Sequence, residues 1–117
     1  MRIHPPGDGT ESVLWHVHTL EGNYRLKLWR FNPMVPEVYA TNSQYYIVHR
    51  DGITIKTIDW RSPVEEGWEN LGRYVFTDHE SQGVWLSDAA DGYLIADAVK
   101  IISTSPIGVD RRIPLQR

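Results

Sequence analysis

Residues 87–101 read SDAADGYLIADAVKI, and the fold turns on how the second half of that stretch is understood. From Tyr93 onward the run is apolar and strand-like, and the turn-forming SDAADG precedes it. A side-chain period of two places Tyr93, Ile95, Asp97, Val99 and Ile101 on one face, so the carboxylate falls on the more apolar side. Burying an unpaired carboxylate costs on the order of several kcal/mol, so Asp97 needs partners. Two kinds fit. Asp97 either accepts hydrogen bonds from nearby backbone N–H groups or a Trp indole and locks the last strand, or it acts with Asp88 or Asp91 as a structural calcium ligand. Either way the segment is expected to lie inside a two-layered β shell.

Working outward, the same alternation recurs. SVLWHVHT places Val13, Trp15 and Val17 opposite Leu14, His16 and His18, and LEGN supplies a turn. YRLKLWRF sets Tyr24, Leu26 and Leu28 against Arg25, Lys27, Trp29 and Phe31. Two prolines in NPMVPE predict a long loop over 32–42. SQYYIVHRDGITIKTIDW reads as a hairpin about Asp51-Gly52, with Arg50 facing Ile53 and Tyr46 facing Thr57. Tyr46, Val48, Ile53 and Ile55 then share one face and Tyr45, Ile47, His49 and Ile58 the other, with the core side open. RSPVEEGWENLG reads as a loop carrying Trp68, followed by the short strands RYVFT and GVWLS. About seven strands with turn signals every 8–12 residues predict an all-β fold, a sandwich or jelly roll. Residues 12–102 form that domain; 1–11 read as an N-terminal loop or truncated edge, and 103–117 as an extension or linker.

The composition is globular, with 41% hydrophobic and 23% charged residues. A net charge of −3 with scattered Lys and Arg argues against nucleic-acid and anionic-membrane partners. There are no cysteines, which excludes disulfides and thiolate zinc sites. No apolar run approaches the roughly 20 residues of a membrane span, and MRIHPPGDGTES lacks the apolar centre of a signal peptide. The protein either stays where it is made or this chain is part of a longer one. Five Trp and six Tyr are many for the length. Aromatics fill cores and also build sugar- and peptide-binding surfaces.

Three stretches, ATNSQYYIVHRDG, GWENLGRYVF and VWLSDAADGYLIADAVKI, together resemble the golvesin / xanthan-lyase carbohydrate-binding-like domain family. The matching residues are Trp68, Leu71, Gly72, Tyr74 and Phe76, then Leu86, Ser87, Asp88, Asp91, Gly92, Tyr93, Ala96, Asp97, Ala98 and Val99. The resemblance spans roughly 12–102 and is most specific toward the C-terminus. The chain differs in two places: few residues precede the first Trp strand, and NPMVPEVYATN replaces a shorter, Gly-containing loop. The resemblance implies a galactose-binding-like jelly roll. It further implies a non-catalytic module, extracellular or at the cell surface as part of a larger bacterial protein.

For function, the aromatics carry the main expectation. Trp85, Trp60, Trp29 and Tyr46 are candidates for stacking on a pyranose face, which makes a polysaccharide or surface glycan the expected partner. The same outward aromatics also suit a neighbouring domain or a homodimer. Trp68, Trp15, Tyr93 and Asp97 are expected to be structural. His16 and His18 form an H-x-H pair with metal-ligand spacing, with His49 or His79 as a third ligand; solvent-facing His pairs are the commoner occurrence. Glu65, Glu66 and Glu69 resemble a hydrolytic carboxylate pair only loosely, and adjacent loop acids are usually solvated. No nucleophile motif or phosphate loop is present. The expected protein therefore has no catalytic residues and no cofactor beyond structural calcium.

Overall fold

The structure is a computed structural model that describes residues 2–17, 21–77, 79–103, 110–113 and 115–116. Its strands are β1 (Arg2–His4), β2 (Ser12–His16), β3 (Gly22–Arg30), β4 (Ser43–His49), β5 (Gly52–Ile58), β6 (Gly67–Phe76), β7 (Gly83–Ser87), β8 (Leu94–Ala96), β9 (Val99–Ser103), β10 (Asp110–Ile113) and β11 (Leu115–Gln116). One sheet runs β11-β2-β7-β4-β5, a second β10-β9-β3-β6, and β1 pairs with β8. All these pairings are antiparallel. Taken as the two halves of one interrupted strand, β8 and β9 complete the jelly-roll arrangement: first, eighth, third and sixth strands in one layer, second, seventh, fourth and fifth in the other. The expected all-β sandwich is the fold observed.

The core is built by alternation. Tyr24, Leu26 and Leu28 of β3, Tyr45 and Ile47 of β4, Val13 and Trp15 of β2, and Val84 and Leu86 of β7 are all buried between the layers. For the hairpin this settles the open question: Tyr45 and Ile47 face the core, while Tyr46 and Val48 face outward. The hairpin register differs from expectation. His49 pairs with Gly52, Val48 with Ile53 and Tyr46 with Ile55, so the two-residue turn is Arg50-Asp51. Gly52 opens β5 at φ +132°, a conformation L side chains rarely adopt, which moves the turn one position upstream. The partner of each residue shifts by two, and an even shift leaves every side chain on its expected face.

Four other expectations need correction. The segment 93–102 is two strands, broken at Asp97-Ala98, because Trp29 N–H donates to the Ala98 carbonyl at 2.9 Å and the Trp15 indole donates to the Asp97 carbonyl at 3.1 Å. Both carbonyls at the break are thereby satisfied, which makes it tolerable inside a sheet. Residues 67–70 belong to β6 and are not loop; Trp68 pairs with Trp29 across the ladder. The stretch 1–11 contains β1, and 103–117 contributes β10 and β11, so both ends add strands to the sheets. Eleven strands are thus described where about seven were expected from turn spacing.

Between β3 and β6 the register shifts at Leu26/Lys27, leaving Leu71 as the extra residue of a β-bulge. The bulge turns Leu71 into the core, where it is 1% exposed. Gly72 follows at φ +114°, and a Cβ there would lie 2.7 Å from the Tyr74 hydroxyl, which donates to the Leu71 carbonyl at 2.6 Å. The Leu-Gly-x-Tyr run is therefore one structural device: an inserted core residue, a glycine that permits it, and a phenol that ties it down.

Candidate functional site

On the outer face of the five-stranded sheet, Trp85 of β7 lies between Leu14 of β2 and Tyr46 of β4, both directly across the ladder. These side chains face outward because their neighbours Val84, Leu86, Tyr45 and Ile47 fill the core. A shallow depression of about 320 Å³ is lined by Gly9, Ser12, Tyr46, Val48, Ile53, Trp85 and Ser87. Ile53 and Ile55 are 63% and 50% exposed and carry the apolar strip along β5. Polar groups are sparse here. The Tyr46 hydroxyl donates to Gln44 Oε1 at 3.1 Å, and Ser12 and Ser87 stand at the opposite rim. The arrangement offers two rings on a flat, half-exposed floor with hydroxyls at its margin, which is what stacking on a flat ligand needs.

The opposite outer face carries a second aromatic group. Trp29 and Trp68 meet edge to face at 5.2 Å, and the Lys100 ammonium sits 4.5 Å above the Trp68 ring. Beside Trp68, an open groove of about 420 Å³ is lined by Arg30, Val64, Glu65, Glu66, Gly67 and Glu69. Arg30, 5% exposed, donates to Glu69 Oε1 at 2.7 Å and to the Asp59 carbonyl at 3.0 Å. Glu69 is thus spent on an ion pair, which separates it from Glu65 and Glu66 as a carboxylate pair.

The remaining candidates divide. Trp60 is 1% exposed and belongs to the core, packed 5.6 Å from Phe31 with the Arg30 guanidinium 4.9 Å over its ring. It is not a surface stacking residue, because the chain beyond β5 folds inward and Trp60 N–H donates to the Ala40 carbonyl. Trp15 is buried beside Tyr45, with ring centroids 6.1 Å apart. Burial pushes the Tyr45 phenol well above its ordinary range, and its hydroxyl donates to the Ile95 carbonyl at 3.1 Å. Trp68, expected to be structural, packs against Trp29 on the outer face of its sheet. Tyr93 is 44% exposed, and its backbone is what serves the structure, bridging Val38 and Ala40. Asp97 is half-buried at the strand break, where its main-chain carbonyl, not its carboxylate, takes the indole hydrogen bond.

Among the described residues, the expected metal ligands are not brought together. His16 is buried and its Nε2 lies 3.3 Å from the His79 carbonyl, while His18 lies outside the described residues. His49 stacks on Tyr74 at 4.9 Å and meets the Thr54 hydroxyl at 3.0 Å. Asp91 binds the Thr41 hydroxyl and the Thr41 N–H, and those hydrogen bonds hold its carboxyl below the usual range. Asp88 is buried elsewhere, accepting from Gly9 N–H at 2.8 Å. Sequence reasoning missed Arg30, its pairing with Glu69, and the N-terminal partners of Asp88. None has a local signal, since the strand order alone brings them together.

The Golvesin C-terminal domain profile matches residues 1–103, which includes β1. The chain belongs to the Golvesin C-terminal domain family. Among solved structures, the golvesin-type domain is similar to part of a xanthan lyase from Paenibacillus, with 27% identity and a TM-score of 0.69. That likeness covers 84% of this chain and 9% of the lyase chain, so the golvesin-type domain spans a small part of the larger protein. Curated protein sequences yield no match.

Proposed function

We propose that this golvesin-type domain is a non-catalytic accessory module of a larger extracellular protein, holding a polysaccharide chain against Trp85 and Tyr46. The observation that carries the reading is their cross-strand pairing on an outward sheet face, in a depression with Ser12 and Ser87 at the rim. The similarity to part of a Paenibacillus xanthan lyase supports a glycan context. Affinity electrophoresis through gels containing xanthan and other polysaccharides tests it. The native domain is retarded by at least one of them. Trp85→Ala weakens that retention about tenfold or more, equivalent to about 1.4 kcal/mol. No retardation on any glycan removes the proposal.

The exposed Ile53 and Ile55 favour a second reading, in which the same face docks on a neighbouring domain or a second copy. Light scattering across a concentration series separates the two: a dimer that Trp85→Ala or Ile53→Ser dissociates, without glycan retention, supports docking.

A further inference from the structure

At the end of the sandwich where β1 meets the loop after β7, His4, Glu11 and Asp88 converge. One ligand-type atom from each lies within 4.8 Å of the others. Metal–donor bonds of roughly 2.0–2.2 Å place neighbouring donors about 3–4 Å apart, so slight closure suffices for all three to share one ion.

The hydrogen bonding at His4 turns its Nε2 toward the place such an ion would take. Its Nδ1 lies 2.6 Å from the Pro5 carbonyl, which can only accept, so Nδ1 carries the proton. In the neutral ring Nε2 then bears a lone pair, and it faces Glu11 Oε2, also an acceptor, at 3.0 Å. Two acceptors at that distance are bridged either by a proton, as an ion pair of the charged ring with Glu11, or by a metal cation. An imidazole fixed through Nδ1–H to a backbone carbonyl is the usual outer support of a metal-binding histidine. Asp88 adds a second, independent feature. It is 5% exposed, Gly9 N–H occupies Oδ1, and among the described residues no hydrogen bond falls on Oδ2. A Cβ at Gly7 would collide with this carboxylate, so glycine leaves the space it uses.

We propose that His4 Nε2, Glu11 and Asp88 bind a first-row divalent cation of the zinc type, which staples β1 to the end of β7. One imidazole nitrogen with two carboxylates suits zinc or manganese; calcium takes six to eight oxygens and no imidazole. The protein supplies three ligands, and water completes the coordination. Backbone bonds already align the parts, Gly7 N–H to the Asp88 carbonyl at 2.7 Å and Asp88 N–H to the Glu11 carbonyl at 3.1 Å.

The test uses the full chain without an affinity tag, stripped with chelator, and titrated separately with zinc, manganese and calcium chlorides by calorimetry and thermal melting. Zinc is expected to bind at one equivalent. At a hundredfold excess over its Kd it raises the melting temperature on the order of 10 °C. His4→Ala and Glu11→Gln, both at partly or largely exposed side chains, leave the fold intact and each weaken binding at least about tenfold. His79→Ala, at an exposed histidine outside the cluster, leaves it unchanged. No heat and no melting shift with zinc or manganese overturns the proposal. So does binding that survives His4→Ala, or a preference for calcium.

Discussion

Trp60 shows what a single residue's surroundings decide. In sequence it stands between Asp59 and Arg61 after a strand, which reads as exposed; in the fold it fills the core under Arg30. Strand alternation ends at Ile58, so period two says nothing about position 60, and the inward turn depends on a hydrogen bond to Ala40, twenty positions away. Trp60→Ala should therefore destabilise the domain by about 3–5 kcal/mol, read as a lower urea midpoint, with no direct effect on surface binding. Asp91 acts at the other extreme of exposure. Hydrogen bonds from Thr41 lower its pKa in the folded state, so the stabilisation is present at neutral pH and is lost as pH falls through that lowered value. Asp91→Asn should lower the melting temperature at pH 7 and flatten the fall toward pH 2, a comparison that a pH series of thermal melts makes directly. The outward place of Trp85 was legible, because Val84 and Leu86 on either side mark the inward face.

At the scale of elements, alternation identified β2, β3, β4, β5 and β7 and failed where the ladder is irregular. In β8, Leu94, Ile95 and Ala96 are all buried, so no face can be assigned by counting, and the break at Asp97-Ala98 resets the phase before β9. In β6, the bulge at Leu71 adds one residue, which places Trp68 outside although counting back from Phe76 puts it inside. The Leu-Gly-x-Tyr pattern was visible as a family feature; its cause was not, since it lies in a backbone dihedral and a cross-strand register. Gly72→Ala tests that cause. The positive φ together with the collision at the Tyr74 hydroxyl should cost about 1–3 kcal/mol, read by chemical denaturation. Gly52→Ala shares the positive φ but meets no atom within 4 Å, so it should cost less.

For the whole molecule, the jelly roll places two aromatic groups on opposite outer faces: Trp85 with Tyr46, and Trp29 with Trp68. Composition and alternation made the sandwich legible. They could not tell which aromatics share a face, because that follows from a strand order in which β7 lies between β2 and β4. The contributions of β1, β10 and β11 were hidden for the same reason: short segments near proline and glycine become strands only when an open sheet edge receives them. The central claim is that the Trp85 face receives the glycan. Nuclear magnetic resonance addresses it through the five tryptophan indole N–H signals during titration with oligosaccharides of the polysaccharide that retards the domain. The predicted result is a saturable shift of the Trp85 signal, with those of buried Trp15 and Trp60 and of Trp29 and Trp68 unmoved. A shift confined to Trp29 and Trp68, or none at any indole, would contradict it.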